Sequence, residues 1–90
     1  MPSQTTTIIN RLGLHARAAA RLVALSKQFP CEIRIERMDG EVVDGKNIMA
    51  VMMLAASQGT EIKLTTQGEQ DTAALQALVE LIAARFGEES

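Results

Sequence analysis

The 90-residue chain has no tryptophan, no tyrosine, one cysteine, one histidine and two prolines. With Phe29 and Phe86 as its only aromatic residues, it lacks the platforms on which single-stranded nucleic acids stack. Its formal net charge of −2 removes the electrostatic pull toward a polyanion, so nucleic acid is not an expected partner. The lone thiol, Cys31, can neither staple the fold internally nor build a multi-cysteine zinc site. Long apolar runs are missing as well. The longest, Ile48 to Ala56, is nine residues, against the ~20 that a membrane-spanning helix needs. No basic-then-apolar leader opens the chain, and the expectation is a cytoplasmic protein without membrane insertion.

What is present suffices for one domain over residues 1–90. The chain is 47% hydrophobic and 22% charged, unlike a disordered segment, and a domain of this size buries roughly 60–70% of its unfolded surface. Charge is unevenly placed. Residues 1–31 hold Arg11, Arg17, Arg21 and Lys27 and no acid, whereas residues 32–90 hold five bases and all eleven acids. The only histidine, His15, lies in the basic segment. Taken alone, such a run also fits a solvated helix face.

Periodicity orders the elements. The β-branched run Thr5 to Ile9 suits a first strand, and Asn10 to Leu14 reads as a loop. From Ala16 to Phe29, Ala18, Leu22, Leu25 and Phe29 recur at helical spacing until Pro30 stops them. Cys31 to Glu36 alternates, with Cys31, Ile33 and Ile35 on one face. Asp39-Gly40 predicts a hairpin into Glu41 to Val43, and Asp44-Gly45 a second turn. Asn47 is a good N-cap for a helix from Ile48 to about Ala56. Thr60 to Thr66 alternates with Ile62 and Leu64 inward, and Asp71 can cap a helix carrying Leu75, Leu78, Ile82 and Phe86, with Arg85 at its end. The order βαββαβα predicts an α+β domain, an antiparallel sheet covered by helices on one face. The other face would be solvated by Glu32, Arg34, Glu36, Glu41, Glu61 and Lys63.

The chemistry begins where the first helix should start. No Ser, Thr, Asp or Asn directly precedes its apolar stripe, so the first amides lack the side-chain cap worth about 1 kcal/mol. Gly13-Leu14-His15 stands there instead, with Arg17 one residue into the first turn. A helix N-terminus adds about 0.3–1 kcal/mol per unit charge at the surface, and a hydrogen bond from a charged donor adds about 1.5–3 kcal/mol. Such a site holds a free surface ion weakly, because water and salt compete. It suits an anion attached covalently to a neutral histidine, and a phosphohistidine is the inferred species. Lone histidines are also often structural or simply exposed. A metal ligand is disfavoured, since no second histidine exists and no acid lies within sixteen residues of His15. A serine–histidine–acid triad has no local signature here.

The stretch Leu12-Gly13-Leu14-His15-Ala16-Arg17-Ala18-Ala19-Ala20 resembles the active-site signature of the HPr-type phosphocarriers of the bacterial phosphotransferase systems. Gly45-Lys46-Asn47-Ile48-Met49-Ala50-Val51-Met52 is similar to that family's second signature, and Gln58-Gly59-Thr60 to the approach to its last strand. The likeness covers essentially the whole chain. It implies an open-faced β-sandwich, a four-stranded antiparallel sheet with three helices on one face. By this resemblance His15 is phosphorylated on Nδ1 by enzyme I, which draws on phosphoenolpyruvate, and the group passes to an EIIA-type acceptor. Arg17 corresponds to the arginine that neutralises the phosphoryl group, and the backbone amides of Ala16 and Arg17 to its helix-start donors. The carrier is a protein co-substrate rather than an enzyme, and needs no cofactor or metal.

Two departures from the family pattern matter. Ala18 replaces the proline usual in sugar-system carriers, and the run Ala-Arg-Ala-Ala-Ala resembles the nitrogen-related branch, NPr. Asn47 occupies the place of the regulatory serine; it caps as well as serine but has no hydroxyl to phosphorylate, so control by a serine-directed kinase is expected to be absent. The helix after it is apolar nearly all round. Val51 and Ala55 are expected in the core, and adaptable methionines suit a carrier that meets several partners. The resemblance places docking on Ile48, Met49, Met52 and Met53 with Arg21, Ala24 and Lys27. Two functions follow: a phosphoryl relay through His15, or a regulatory binding module of the same fold without phosphoryl turnover.

Overall fold

Alternation along the strands decides which face of the sheet is covered. In the computed structural model, which describes residues 1–90, Cys31, Ile33, Ile35, Ile62 and Leu64 are buried while Glu32, Arg34, Glu61 and Lys63 are exposed. The elements are β1 (Ser3–Thr7), α1 (Ala16–Ser26), β2 (Glu32–Arg37), β3 (Val42–Asp44), α2 (Ile48–Met53), β4 (Glu61–Gln67) and α3 (Asp71–Ala83), followed by a 3₁₀ turn over Arg85–Gly87. The four strands form one antiparallel sheet in the order β1-β4-β2-β3. The helices lie on one face only, so the molecule is an open-faced β-sandwich of the α+β class.

Several element ends differ from expectation. Strand β1 starts at Ser3 because β4 extends far enough to pair Ser3 with Thr65 and Gln4 with Leu64. At its other end Ile8 keeps ladder-like bonds, its amide to Thr60 O at 2.9 Å and its carbonyl to the Gly59 amide at 2.7 Å. Helix α1 closes at Ser26, well before Phe29. The residue preceding a proline is biased against helical geometry, and Gln28 and Phe29 tighten into bonds with Leu25 O and Ser26 O. The buried faces follow: Ala18, Ala19, Leu22 and Val23 are buried, whereas Leu25 and Phe29 are half-buried.

Helix α2 is shorter than expected, ending at Met53 with Leu54 as C-cap. Ala55 takes a left-handed conformation, φ 55°, and is exposed, so of the two residues expected in the core only Val51 is there. Asn47 does cap α2, its side-chain oxygen accepting from the Ala50 amide at 3.1 Å. Helix α3 is entered through Gln70 in the left-handed region, and Asp71 is its first residue rather than its cap. From there Asp71 suits the helix dipole, and its carboxylate accepts from the Gly68 amide at 3.3 Å. After α3 the chain does not simply continue to Phe86. Arg85, Phe86 and Gly87 all have positive φ, and Phe86 turns back to be fully buried.

Candidate functional site

A buried asparagine shapes the loop that presents His15. Asn10 Nδ2 donates to Gly13 O at 2.8 Å, and the Gly13 amide donates to Asn10 O at 3.2 Å. The loop is tied to the end of α2 by the Leu14 amide, 2.8 Å from Ala56 O. Only glycine fits at 13: its φ is +66°, and an added Cβ would lie 2.6 Å from Ala56 O. Leu14 is buried, so the next residue is delivered to the surface at the start of α1.

That residue is His15, the N-cap of α1, with extended backbone (ψ −179°) and a carbonyl that accepts from the Ala19 amide at 2.8 Å. Its side chain does not cap the helix. Ala16 and Arg17 follow, both exposed, and their amides have no backbone or side-chain partner. Open donors at a helix start favour an anion. The ring is 28% exposed, and it borders an open cavity of about 740 Å³ shared with Arg11, Arg17 and Arg21.

The fold adds what the local sequence lacks, an acid. Glu88, 73 positions along the chain, brings Oε2 to 2.5 Å from His15 Nε2. Its other oxygen accepts from Asn10 Nδ2 at 3.0 Å. The Asn10 amide, and then the His15 ring, hold the Glu88 carboxyl below the ordinary carboxylate range, against the opposing effect of desolvation. The surroundings of His15 are therefore not cationic alone, as the sequence suggests. Phe86 anchors the returning segment, and Arg21 Nη1 donates to its carbonyl. Neither Asn10 nor Glu88 carried a motif in the sequence; three left-handed residues in succession set Glu88's place, and side-chain periodicity does not encode them.

Around this point the other expected residues are distributed as follows. Arg21, Ala24 and Lys27 are exposed on α1, with Arg21 also holding Phe86 O. On α2, Met49 is 64% and Met53 78% exposed, while Ile48 and Met52 are exposed to a lesser degree. Helices α1 and α2 pack together, and the segment just after α2 bonds the His15 loop at Ala56 O, whereas Lys27 lies at the far end of α1. Cys31 is buried, as the inward face of its strand predicts. No group of three or more His, Cys, Asp or Glu residues is placed to hold a metal ion, and no helix is long and apolar enough to cross a membrane.

Residues 2–84 match the family model described as the PTS HPr component phosphorylation site. The chain belongs to the HPr family of phosphocarriers. It is 58% identical over 88 residues to the phosphocarrier protein HPr of Pseudomonas aeruginosa, covering 98% of each chain. It is 34% identical over 86 residues to the phosphocarrier protein NPr of Klebsiella oxytoca, covering 96% of each. Both names thus occur among its relatives, HPr at the higher identity. The crystal structure of HPr-C-His from Thermoanaerobacter tengcongensis superposes with a TM-score of 0.95 at 41% identity over the whole of both chains. A phosphoryl carrier function within the phosphotransferase system is what membership of the HPr family implies.

Proposed function

We propose that the protein accepts a phosphoryl group on Nδ1 of His15 from an enzyme I type donor, itself charged by phosphoenolpyruvate, and passes it to an EIIA-type acceptor. The observation that carries this reading is a half-exposed imidazole at an uncapped helix start, beside the unpartnered amides of Ala16 and Arg17. The Nδ1 lone pair attacks phosphorus; a nitrogen–phosphorus bond forms as the bond to the donor breaks, and the donor keeps the electron pair. Discharge is the reverse, with the acceptor as the attacking group and Nδ1 as the leaving group. Phosphoryl transfer depends chiefly on positioning and on stabilising charge spread over the equatorial oxygens. The amides of Ala16 and Arg17 and the Arg17 guanidinium supply that stabilisation from this side.

The remaining machinery belongs to the partners, so the protein acts as a co-substrate rather than an enzyme in its own right, in the cytoplasm. Docking falls to Ile48, Met49, Met52 and Met53 of α2 with Arg21, Ala24 and Lys27 of α1. Asn47 leaves no hydroxyl at the cap of α2 for a serine-directed kinase to modify. Incubation with phosphoenolpyruvate and an active enzyme I is expected to give an acid-labile adduct that is absent in His15→Ala. No adduct from a donor that charges another HPr in the same reaction would favour a regulatory binding module instead.

A further inference from the structure

We propose that Glu88 is a positioning residue for His15: it takes the Nε2 proton as a hydrogen bond, fixes the tautomer that leaves a lone pair on Nδ1, and serves as counter-ion to the ring once Nδ1 carries phosphorus. The first part concerns the resting protein alone; the second rests on the phosphoryl reading of His15.

The carboxylate is held in place at three points. One oxygen lies 3.0 Å from Nδ2 of Asn10, a fully buried side chain that also holds Gly13 O. The other lies 2.5 Å from His15 Nε2, and the Glu88 side chain is only 12% exposed. Two residues earlier, fully buried Phe86 fixes the backbone, with Arg21 on its carbonyl. Loop and tail therefore meet at the ring through one asparagine, which sets the distance between them.

The proton count follows from the groups present. An ionised carboxylate only accepts, and a neutral imidazole has a single N–H. The hydrogen bond at Nε2 therefore places that proton on Nε2 and the lone pair on Nδ1, for which no protein group provides a partner. A carboxylate on one ring nitrogen commonly orients the ring and selects its tautomer in this way. When the Nδ1 pair forms a bond to phosphorus, the ring keeps its Nε2 proton and gains positive charge. Glu88 already faces that charge, so no proton moves on loading or on discharge. The other charged side chains that line this cavity are Arg11, Arg17, Arg21, whose guanidinium also holds Phe86 O, and Glu89.

The test uses the only histidine in the chain as its own probe. In ¹⁵N spectra of the unphosphorylated protein, with the ring neutral, Nε2 is expected at the frequency of a protonated nitrogen and Nδ1 at that of a bare one. A downfield, slowly exchanging Nε2 proton should accompany them. In Glu88→Ala the two nitrogen frequencies should move toward each other and the downfield proton should vanish; Glu88→Gln, which keeps an acceptor of the same shape, should restore the tautomer. Unchanged ring signals in Glu88→Ala, or a wild-type ring protonated on Nδ1, would overturn the proposal, and neither result needs a phosphoryl donor. With a donor, Glu88→Gln should load about tenfold more slowly than wild type, about 1.4 kcal/mol of barrier, because the ring then gains its positive charge without a counter-ion; an equal loading rate would overturn the counter-ion role and leave the phosphoryl reading of His15 intact.

Discussion

Two helices of this protein begin in opposite ways. Helix α2 starts under Asn47, whose side chain accepts from the Ala50 amide at 3.1 Å. Helix α1 starts under His15, whose side chain turns away from the helix amides to Glu88. A capped start satisfies a donor and adds stability. An open start leaves donors free for a guest. Helix α1 forgoes a side-chain cap where a transient anion is proposed to sit, and α2 keeps one; α3, entered through Gln70, also lacks one, so what sets α1 apart is the imidazole and guanidinium beside its open amides.

This contrast can be broken in a graded series. Reversing the charge at the open start has the largest effect: Arg17→Glu should slow phosphoryl transfer by roughly 10–100-fold, the loss of one charge-assisted hydrogen bond of about 1.5–3 kcal/mol. Its melting temperature should stay close to wild type because Arg17 is exposed; unaltered transfer rates would remove Arg17 from the mechanism. Next, Met49→Glu on the first turn of the capped helix should weaken partner binding by about tenfold, since a charge replaces an exposed apolar side chain. A large fall in melting temperature would return Met49 to the core.

Smaller effects separate the two caps directly. Asn47→Ala should cost about 1 kcal/mol, a fall of about 4–8 °C in melting temperature for a domain of this size. His15→Ala made in a Glu88→Ala background, where the ring's bond to the tail is already gone, should cost less, because His15 caps nothing, and differential scanning calorimetry would show it; equal losses would mean the two starts are not energetically distinct. The smallest effect is in the acid limb. A carboxyl whose folded value lies below its unfolded one stabilises the fold above the unfolded value, and that contribution is lost as pH falls through the folded value. Wild type should therefore lose its advantage over Glu88→Gln as pH drops below the ordinary carboxylate range. A difference that grows on acidification would contradict the depressed Glu88 value.

Much of the molecule was legible before its coordinates. Strand faces followed from the alternation of Ile33, Ile35, Ile62 and Leu64, because a period of two is fixed by backbone geometry. Asn47 was readable as a cap, and the open start of α1 by the absence of one. What escaped depended on backbone conformations that side-chain type does not announce. Ala55 ends α2 in the left-handed region without being glycine, and Gln70 opens α3 in the same region. The turn through Arg85, Phe86 and Gly87 brings Glu88 to the ring from the far end of the chain. An acid in an acidic tail gives no sign of that in sequence, and Asn10 looked like one more loop residue.

The bond from the Leu14 amide to Ala56 O has a bearing on which lengths the chain tolerates. The connector between the methionine-bearing helix and that carbonyl is only Leu54 and Ala55. Deleting or inserting one residue there would drag the acceptor about 3 Å along the chain and loosen the stem of the imidazole. The spacing is held by the histidine loop, while the side chain at Ala55, exposed as it is, stays free to vary among residues that accept its backbone angle.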